Sequence, residues 1–219
     1  MDPLFEGLLK NSRALLFDFD GTLVDSNRIK WEAFEACFER FPQRREEILA
    51  YCRANNHTTR YEKFRWVYEK ILRLPYGPET ERELSAVFES HSTRQIIDTP
   101  EIPGAEGFIR LQRGKHLLGL LSSTPHPILL EILSHRGWAG YFDVVRGAPV
   151  DKAEFLRRFL SERRIQGGEA VFFGDTLEDA RAAERAGWRF VAVGPQHEEL
   201  KRQVWISDFN PFLKTREKK

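Results

Sequence analysis

Short apolar segments, each about the length of one β-strand, recur along the chain and limit the folds that it can adopt. One covers about residues 13–19, and others lie at 116–122, 141–146, 170–173, 190–193 and 204–206. From residue 105 onward these segments alternate with stretches of helical periodicity. Apolar strands separated by helices indicate a parallel sheet that is covered on both faces. The sequence therefore predicts an α/β fold.

The segment between the first two strands has a different character. Apolar residues recur there at helical spacing, and the pattern predicts further helices over about 44–54, 58–73 and 79–97. No convincing strand pattern lies among them, and the Pro- and Gly-containing segment 99–104 follows as a linker. We therefore predict a core domain of residues 1–23 and 99–219, interrupted by an all-helical domain of residues 24–98.

Composition excludes several classes of partner. The 219 residues carry a formal net charge of +1, with acidic and basic residues interspersed. Neither a nucleic acid nor a membrane surface is an expected partner for such a chain. Cys37 and Cys52 are the only cysteines, and no secretion signal precedes the first strand. We expect reduced thiols and a cytoplasmic protein.

Two carboxylates end the first strand. Asp18 and Asp20 are separated by one residue and followed by Gly21. In a strand, residues i and i+2 point to the same face, so these side chains are predicted to project together. Adjacent carboxylates favour a divalent cation site, or a nucleophile beside an acid/base group. Gly21 permits a sharp turn there.

Polar residues also follow the later strands. Ser122, Ser123 and Thr124 end the second strand, and Lys152 begins the helix after the third. The fourth strand leads into Gly174-Asp175-Thr176-Leu177-Glu178-Asp179. Ligands of open parallel sheets bind outside the carboxyl ends of the strands. These residues are therefore predicted to converge on one site with Asp18 and Asp20.

The motifs resemble those of haloacid dehalogenase-superfamily phosphatases that carry a helical cap after the first strand. The Asp-x-Asp-Gly-Thr motif of this family corresponds to residues 18–22, and its Gly-Asp-x-x-x-Asp motif to residues 174–179. A Ser or Thr after an apolar strand corresponds to Ser122, and a Lys corresponds to Lys152. The resemblance covers nearly the whole chain and implies a Rossmann-like core with an inserted helical cap domain.

The resemblance implies a Mg²⁺ cofactor and a metal site. The side chain of Asp18, the backbone carbonyl of Asp20 and the side chain of Asp175 correspond to the family's metal ligands. Asp179 lies four residues after Asp175 and is assigned to the metal site as a water-bridged partner.

The resemblance also implies how the reaction is divided among the side chains. Asp18 would attack phosphorus to form an aspartyl-phosphate, and Asp20 would protonate the leaving oxygen and then activate water. Ser122 would bind a phosphoryl oxygen, with Ser123 as the competing candidate. Lys152 would neutralise charge on the transferred group.

Arg60 and Lys63 form a locally basic pair in the predicted cap. They are three residues apart and fall on one helical face. Our hypothesis is that they bind an anionic or hydroxylated part of the substrate. The alternative is a solvated face of the cap.

The function predicted first is Mg²⁺-dependent hydrolysis of a small phosphate monoester, of the phosphoglycolate or sugar-phosphate type. A phosphomutase resembling β-phosphoglucomutase is the second interpretation, and a non-catalytic binding protein on this fold is the third. The expected partner is a small phosphorylated metabolite, and the expected assembly is a monomer or a homodimer.

Overall fold

The computed structural model describes residues 3–55 and 58–213. Its helices are α1 (Pro3–Lys10), α2 (Asn27–Cys37), α3 (Arg45–Ala54), α4 (Arg60–Trp66), α5 (Pro78–Asp98), α6 (Ala105–Gln112), α7 (His126–His135), α8 (Lys152–Arg163) and α9 (Leu177–Ala186). Its strands are β1 (Ala14–Phe17), β2 (Leu117–Pro125), β3 (Val144–Ala148), β4 (Ala170–Gly174), β5 (Arg189–Val193) and β6 (Val204–Ile206). A π-helical segment, Val67–Leu72, continues α4, and short 3₁₀ turns cover Pro42–Arg44, Gly167–Glu169, Glu198–Leu200 and Asn210–Phe212.

The strands form one parallel sheet in the order β3-β2-β1-β4-β5-β6. From β1 the chain adds β2 and β3 on one side, and then crosses to add β4, β5 and β6 on the other. The point of reversal lies between β1 and β4, where Phe17 pairs with Phe173. The predicted α/β fold with a Rossmann-like parallel sheet is confirmed.

Both faces of the sheet are covered by apolar side chains, as the run of hydrophobic residues in β1 predicts. Leu16 and Phe172 lie on one face in a buried cluster that includes residues of α8 and α9. Phe17 and Phe173 stack on the other face with ring centroids 4.8 Å apart. Phe108 of α6 meets both of these rings edge-on. Residues of opposite parity in each strand therefore serve the two layers of helices.

Several strand boundaries differ from the prediction. β1 ends at Phe17 rather than at residue 19, so Asp18 and Asp20 follow the strand instead of ending it. β2 continues to Pro125, so Ser122 lies inside the strand rather than at its end. β3 begins at Val144, because Asp143 turns the chain into the sheet: its N–H donates to the Leu118 carbonyl, and its carboxylate accepts from the Leu118 N–H at 2.7 Å. The apolar character of residues 141 and 142 gave no sign of this turn.

The chain forms two compact units. Residues 1–25 and 100–219 form the first, here called the core unit, and residues 26–99 form the second, the helical unit. The interior of the helical unit is aromatic, with Phe34, Phe64 and Phe88 meeting at centroid distances of 4.9–6.2 Å. Within the described ranges, no helix combines the length and the apolar character needed to cross a bilayer.

The chain leaves the core unit and returns to it along two adjacent segments. Val24 and Glu101 form an antiparallel bridge, and the N–H of Ile102 donates to the carbonyl of Leu23 at 2.9 Å. The N–H of Asp25 donates to the carbonyl of Pro100 at 3.2 Å. The two ends of the insertion are thus joined by backbone hydrogen bonds.

Candidate active site

Asp18 stands at the point where the sheet order reverses. It follows β1 directly, and its backbone N–H donates to the Phe173 carbonyl at 2.8 Å, which extends the pairing with β4. Its side chain is buried and accepts a hydrogen bond from Lys152 Nζ at 2.8 Å. Lys152 is the first residue of α8, and Asp151 caps this helix by accepting from the Glu154 N–H at 2.9 Å. The cap fixes the turn from which Lys152 reaches Asp18.

Asp179 completes an ion-paired triad with Asp18 and Lys152. Lys152 Nζ donates to Asp179 Oδ1 at 2.7 Å, and Thr176 Oγ1 donates to Asp179 Oδ2 at 2.5 Å. In return, the Asp179 N–H donates to Thr176 Oγ1 at 3.1 Å, which forms a capping box at the start of α9. Both carboxylate oxygens of Asp179 are therefore engaged by residues of the chain.

Gly174 provides the space for this arrangement. A Cβ atom at this position would lie 2.6 Å from the Cβ of Asp179 and 2.9 Å from its Oδ2. Contacts this short do not occur between folded side chains, so any larger residue would displace Asp179. The glycine of the Gly-Asp motif is thus required by packing.

Asp18 and Lys152 both have raised pKa values, but for different reasons. Burial raises the pKa of Asp18 to about 6, although the Lys152 ammonium opposes this and the Asp179 and Asp20 carboxylates reinforce it. Burial alone would lower the pKa of Lys152, but the carboxylates of Asp179 and Asp18 outweigh it and raise that pKa. Lys152 is therefore a fixed positive charge beside Asp18.

Asp20 contacts a different set of side chains. Thr124 Oγ1 donates to Asp20 Oδ2 at 2.8 Å, and Ser122 Oγ lies 3.5 Å from the same oxygen. Gly21 adopts a left-handed conformation with φ of 79°, and its N–H donates to the Val24 carbonyl at 2.8 Å. This turn directs the chain away from the sheet immediately after Asp20.

The structure brings the predicted residues of the core unit together. Asp18, Asp175 and Asp179 each offer a carboxylate oxygen, and these oxygens lie within 4.8 Å of one another. Ser122 is buried, whereas Ser123 is half-buried and precedes Thr124 in the strand. Adjacent strand residues point to opposite faces, so the geometry beside Asp20 favours Ser122 over Ser123 as the side chain at the site.

Arg60 and Lys63 lie in the helical unit and are buried at 7% and 3% exposure, which excludes a solvated face. The Arg60 guanidinium lies 4.6 Å from the Phe88 ring centroid and 3.3 Å from Glu89. Lys63 Nζ lies 4.9 Å from the Phe34 centroid. Both cations therefore contact the aromatic interior of the helical unit. Their predicted role in substrate binding stays a prediction.

The sequence placed Thr124 and Thr176 near the predicted site but did not indicate a role for either side chain. Thr176 shares the capping box with Asp179, and a Thr followed three residues later by an acid is a recognisable signal of a helix start. Thr124 binds Asp20, and its only signal was its place two residues after Ser122 in a strand.

The donor set fits a hard divalent cation. The clustered side chains of Asp18, Asp175 and Asp179 offer carboxylate oxygens, which Mg²⁺ and Ca²⁺ prefer. Taken alone, three ionised carboxylates and one lysine ammonium carry an excess of two negative charges. A divalent cation would balance that excess.

A parallel sheet with buried carboxylates and a lysine at its switch point defines an α/β enzyme of Rossmann-like architecture. The family model of haloacid dehalogenase-like hydrolases matches residues 15–193. The chain belongs to this family. The predicted membership of the haloacid dehalogenase superfamily is thereby confirmed.

Several known proteins are similar to this chain over most of its length and most of theirs. Pyrophosphatase PpaX of Listeria monocytogenes serotype 4b is 28% identical over 199 residues, covering 84% of this chain and 86% of that protein. A phosphoglycolate phosphatase of Aquifex aeolicus is 28% identical over 202 residues, with coverage of 84% and 89%. The crystal structure of a β-phosphoglucomutase from Clostridium difficile superposes with a TM-score of 0.73 at 17% identity, covering 91% and 92% of the two chains.

Proposed function

We propose that the chain is a Mg²⁺-dependent hydrolase of small phosphate monoesters that acts through an aspartyl-phosphate on Asp18. The observation that carries the proposal is the buried triad, in which Lys152 binds both Asp18 and Asp179 within 2.8 Å. This arrangement supports a nucleophilic carboxylate whose charge is held in place by a fixed ammonium. Family membership supports the same chemistry.

Asp18, Asp175 and the backbone carbonyl of Asp20 are the proposed ligands of Mg²⁺. Asp179 is proposed to act through water, since both of its oxygens already accept hydrogen bonds from Lys152 and Thr176. Bound Mg²⁺ would neutralise phosphoryl charge and remove the repulsion between substrate and carboxylate.

The side chains divide the reaction into two displacements. Asp18 Oδ attacks phosphorus as the ester bond breaks, and Asp20 gives its proton to the leaving oxygen. Asp20 then takes a proton from water, whose oxygen bonds to phosphorus as the Asp18–phosphorus bond breaks. Lys152 stabilises the charge that spreads over the transferred group, and Ser122 binds one of its oxygens.

The substrate is a small phosphorylated metabolite. The relatives named pyrophosphatase and phosphoglycolate phosphatase nominate two test compounds, one an anhydride and one an alkyl ester. The helical unit, predicted as a cap domain, is the proposed source of specificity, with Arg60 and Lys63 as its candidate contacts. A cytoplasmic location and a monomeric or homodimeric state stay predictions.

The decisive experiment is phosphate release from a panel of phosphoglycolate, sugar phosphates, pyrophosphate and p-nitrophenyl phosphate, with Mg²⁺ or EDTA. We expect release by the wild type that requires Mg²⁺ and is abolished in Asp18→Asn. Release that persists in EDTA or in Asp18→Asn would contradict the proposal. Conversion of a sugar phosphate to its isomer without release would identify a phosphomutase instead, and binding without turnover would favour a non-catalytic protein.

A further test concerns Arg60 and Lys63. If they bind substrate, Arg60→Met and Lys63→Met should raise KM on the preferred substrate by about tenfold or more, as expected for a lost hydrogen bond to a charged group. Unchanged kcat/KM with a lowered melting temperature would instead assign both side chains to the interior of the helical unit.

A further inference from the structure

Two hydroxyl groups on β2 converge on one oxygen of Asp20. Ser122 and Thr124 are two residues apart, so their side chains share a face of the strand. Thr124 Oγ1 donates to Asp20 Oδ2 at 2.8 Å, whereas Ser122 Oγ is 3.5 Å from that oxygen. The Thr124 N–H also donates to Ser122 Oγ at 3.0 Å. The hydroxyl of Thr124 therefore makes the shorter and stronger bond to Asp20.

All three residues of this network are buried. Asp20 and Thr124 are each 6% exposed and Ser122 is 1% exposed. Water has little access to replace the threonine hydroxyl, so loss of this group would leave a buried carboxylate oxygen under-bonded. A carboxyl group held by such a bond keeps one orientation of its side-chain torsions.

The backbone of Thr124 is itself fixed by the neighbouring strand. Gly147 of β3 approaches so closely that a Cβ there would lie 2.5 Å from the Thr124 carbonyl oxygen and 2.6 Å from the Cα of His126. The Gly147 N–H donates to His126 Nδ1 at 3.1 Å, which ties the end of β2 to β3. The register of β2 against β3 shifts between Leu121 and Pro125, and Pro125 pairs with Ala148, so the segment that carries Thr124 is held by strand pairing on both sides.

We propose that Thr124 is a positioning residue for the acid/base step, holding the Asp20 carboxyl group where it can reach the leaving oxygen. The inference rests on the proposed function and extends it to a residue that does not itself touch phosphorus. In the first displacement, the bond from Asp18 oxygen to phosphorus forms while the ester bond breaks, and the proton of Asp20 passes to the leaving oxygen. Thr124 sets the direction of that proton transfer.

Comparing substrates with different leaving groups distinguishes a positioning residue from a purely structural one. An alkoxide is a poor leaving group and needs the proton of Asp20, whereas p-nitrophenolate departs as a stable anion. The constant kcat/KM reports only the steps up to the first irreversible one, here formation of the aspartyl-phosphate. A misdirected Asp20 should therefore slow the alkyl ester far more than the nitrophenyl ester.

The experiment compares Thr124→Val, which keeps the shape and removes the hydroxyl, with Thr124→Ser, which keeps the hydroxyl. For the best alkyl phosphate of the panel, we expect Thr124→Val to lower kcat/KM by about 10- to 100-fold, less than the full contribution of general acid catalysis of about 10²–10⁴-fold, because Asp20 itself is retained. For p-nitrophenyl phosphate we expect Thr124→Val to lower kcat/KM by less than about threefold. Thr124→Ser should have about the wild-type kcat/KM for both substrates. Thr93→Val in the helical unit is the matched control.

Each other result counts against the proposal in a distinct way. Equal losses of kcat/KM on both substrates would indicate that Thr124 has only a structural role. A Thr124→Val variant with wild-type kcat/KM would show that the Thr124 hydroxyl has no role in the reaction. A wild type that releases phosphate from no ester would overturn the proposed function itself, and with it this inference. Circular dichroism and melting curves verify folding, and Thr124→Ala replaces Val if Val does not fold.

Discussion

Replacing Lys152 by Met tests the electrostatics of the site independently of any substrate. Nζ lies 2.8 Å from Asp18 Oδ1 and 2.7 Å from Asp179 Oδ1, and the two aspartate side chains are only 8% and 2% exposed. The substitution removes the ammonium but keeps an apolar side chain of similar length. It leaves two carboxylates buried beside each other without a compensating cation.

The expected magnitude follows from that geometry. Removing one partner of a buried ion pair costs about 3–5 kcal/mol. The lower end applies here, because Lys152 is 17% exposed and Asp18, whose pKa is already about 6, relieves part of the repulsion by taking up a proton. At about 2–4 °C per kcal/mol for a chain of this length, a loss of about 3 kcal/mol lowers the melting temperature by about 6–12 °C.

The assay is thermal unfolding followed by circular dichroism in EDTA, so that no bound cation masks the effect. Lys115→Met is the control, because Lys115 is exposed and its replacement should leave the melting temperature unchanged. Added Mg²⁺ should recover part of the loss in Lys152→Met, since a ligand that binds only the folded state stabilises it. A Lys152→Met variant that melts with the wild type in EDTA would refute the ion-pair reasoning.

Two further substitutions test packing and protonation. Gly174→Ala should abolish phosphate release, because its Cβ would lie 2.6 Å from the Cβ of Asp179, whereas Gly168→Ala, with no atom nearer than 3.8 Å, should retain full activity in the same assay. Burial lowers the pKa of His116, whose Nε2 lies 3.2 Å from the Leu9 carbonyl and whose Nδ1 has no partner. Because protonation is then easier in the unfolded chain, stability is complete above about pH 6.5 and falls as the pH drops below it. Urea unfolding at about pH 7.5 and about pH 5.5 isolates this effect as the difference between the wild type and His116→Gln, because Asp18, whose raised pKa favours the folded state as the pH falls, acts in the opposite direction in both proteins. The free energy of unfolding should change less favourably on acidification in the wild type than in His116→Gln, and equal changes in the two proteins would contradict the reasoning.

The sheet and the position of the site could be predicted because both depend on local patterns. Hydrophobic runs identify strands, and parallel strands place Asp18 and Asp175 at one edge whatever the details of packing. The choice of partner for each polar atom is different. Thr124 binds Asp20 because β2 continues three residues past Ser122, and that extension depends on pairing of Pro125 with Ala148 in β3.

The burial of charged side chains also could not be predicted from the sequence. A basic pair on one helical face is typical of a solvated surface, yet Arg60 and Lys63 are covered. Phe34 and Phe88 of the surrounding helices provide ring faces against which the two cations lie. Such covering depends on how helices distant in sequence assemble, which periodicity along one helix does not reveal.

The paired segments at the ends of the insertion carry a consequence for how such chains diversify. Leu23 and Ile102 are hydrogen-bonded neighbours, so the insertion connects two points that are already adjacent, as a loop connects the strands of a hairpin. Its content does not affect the pairing of the sheet. Lengthening a loop between fixed ends costs only about 0.6 kcal/mol for each doubling. The core unit can therefore accept a shorter, longer or different insertion at this junction without a change in the register of any strand. The inserted module can change while Asp18, Lys152 and Asp179 keep their places in the core unit.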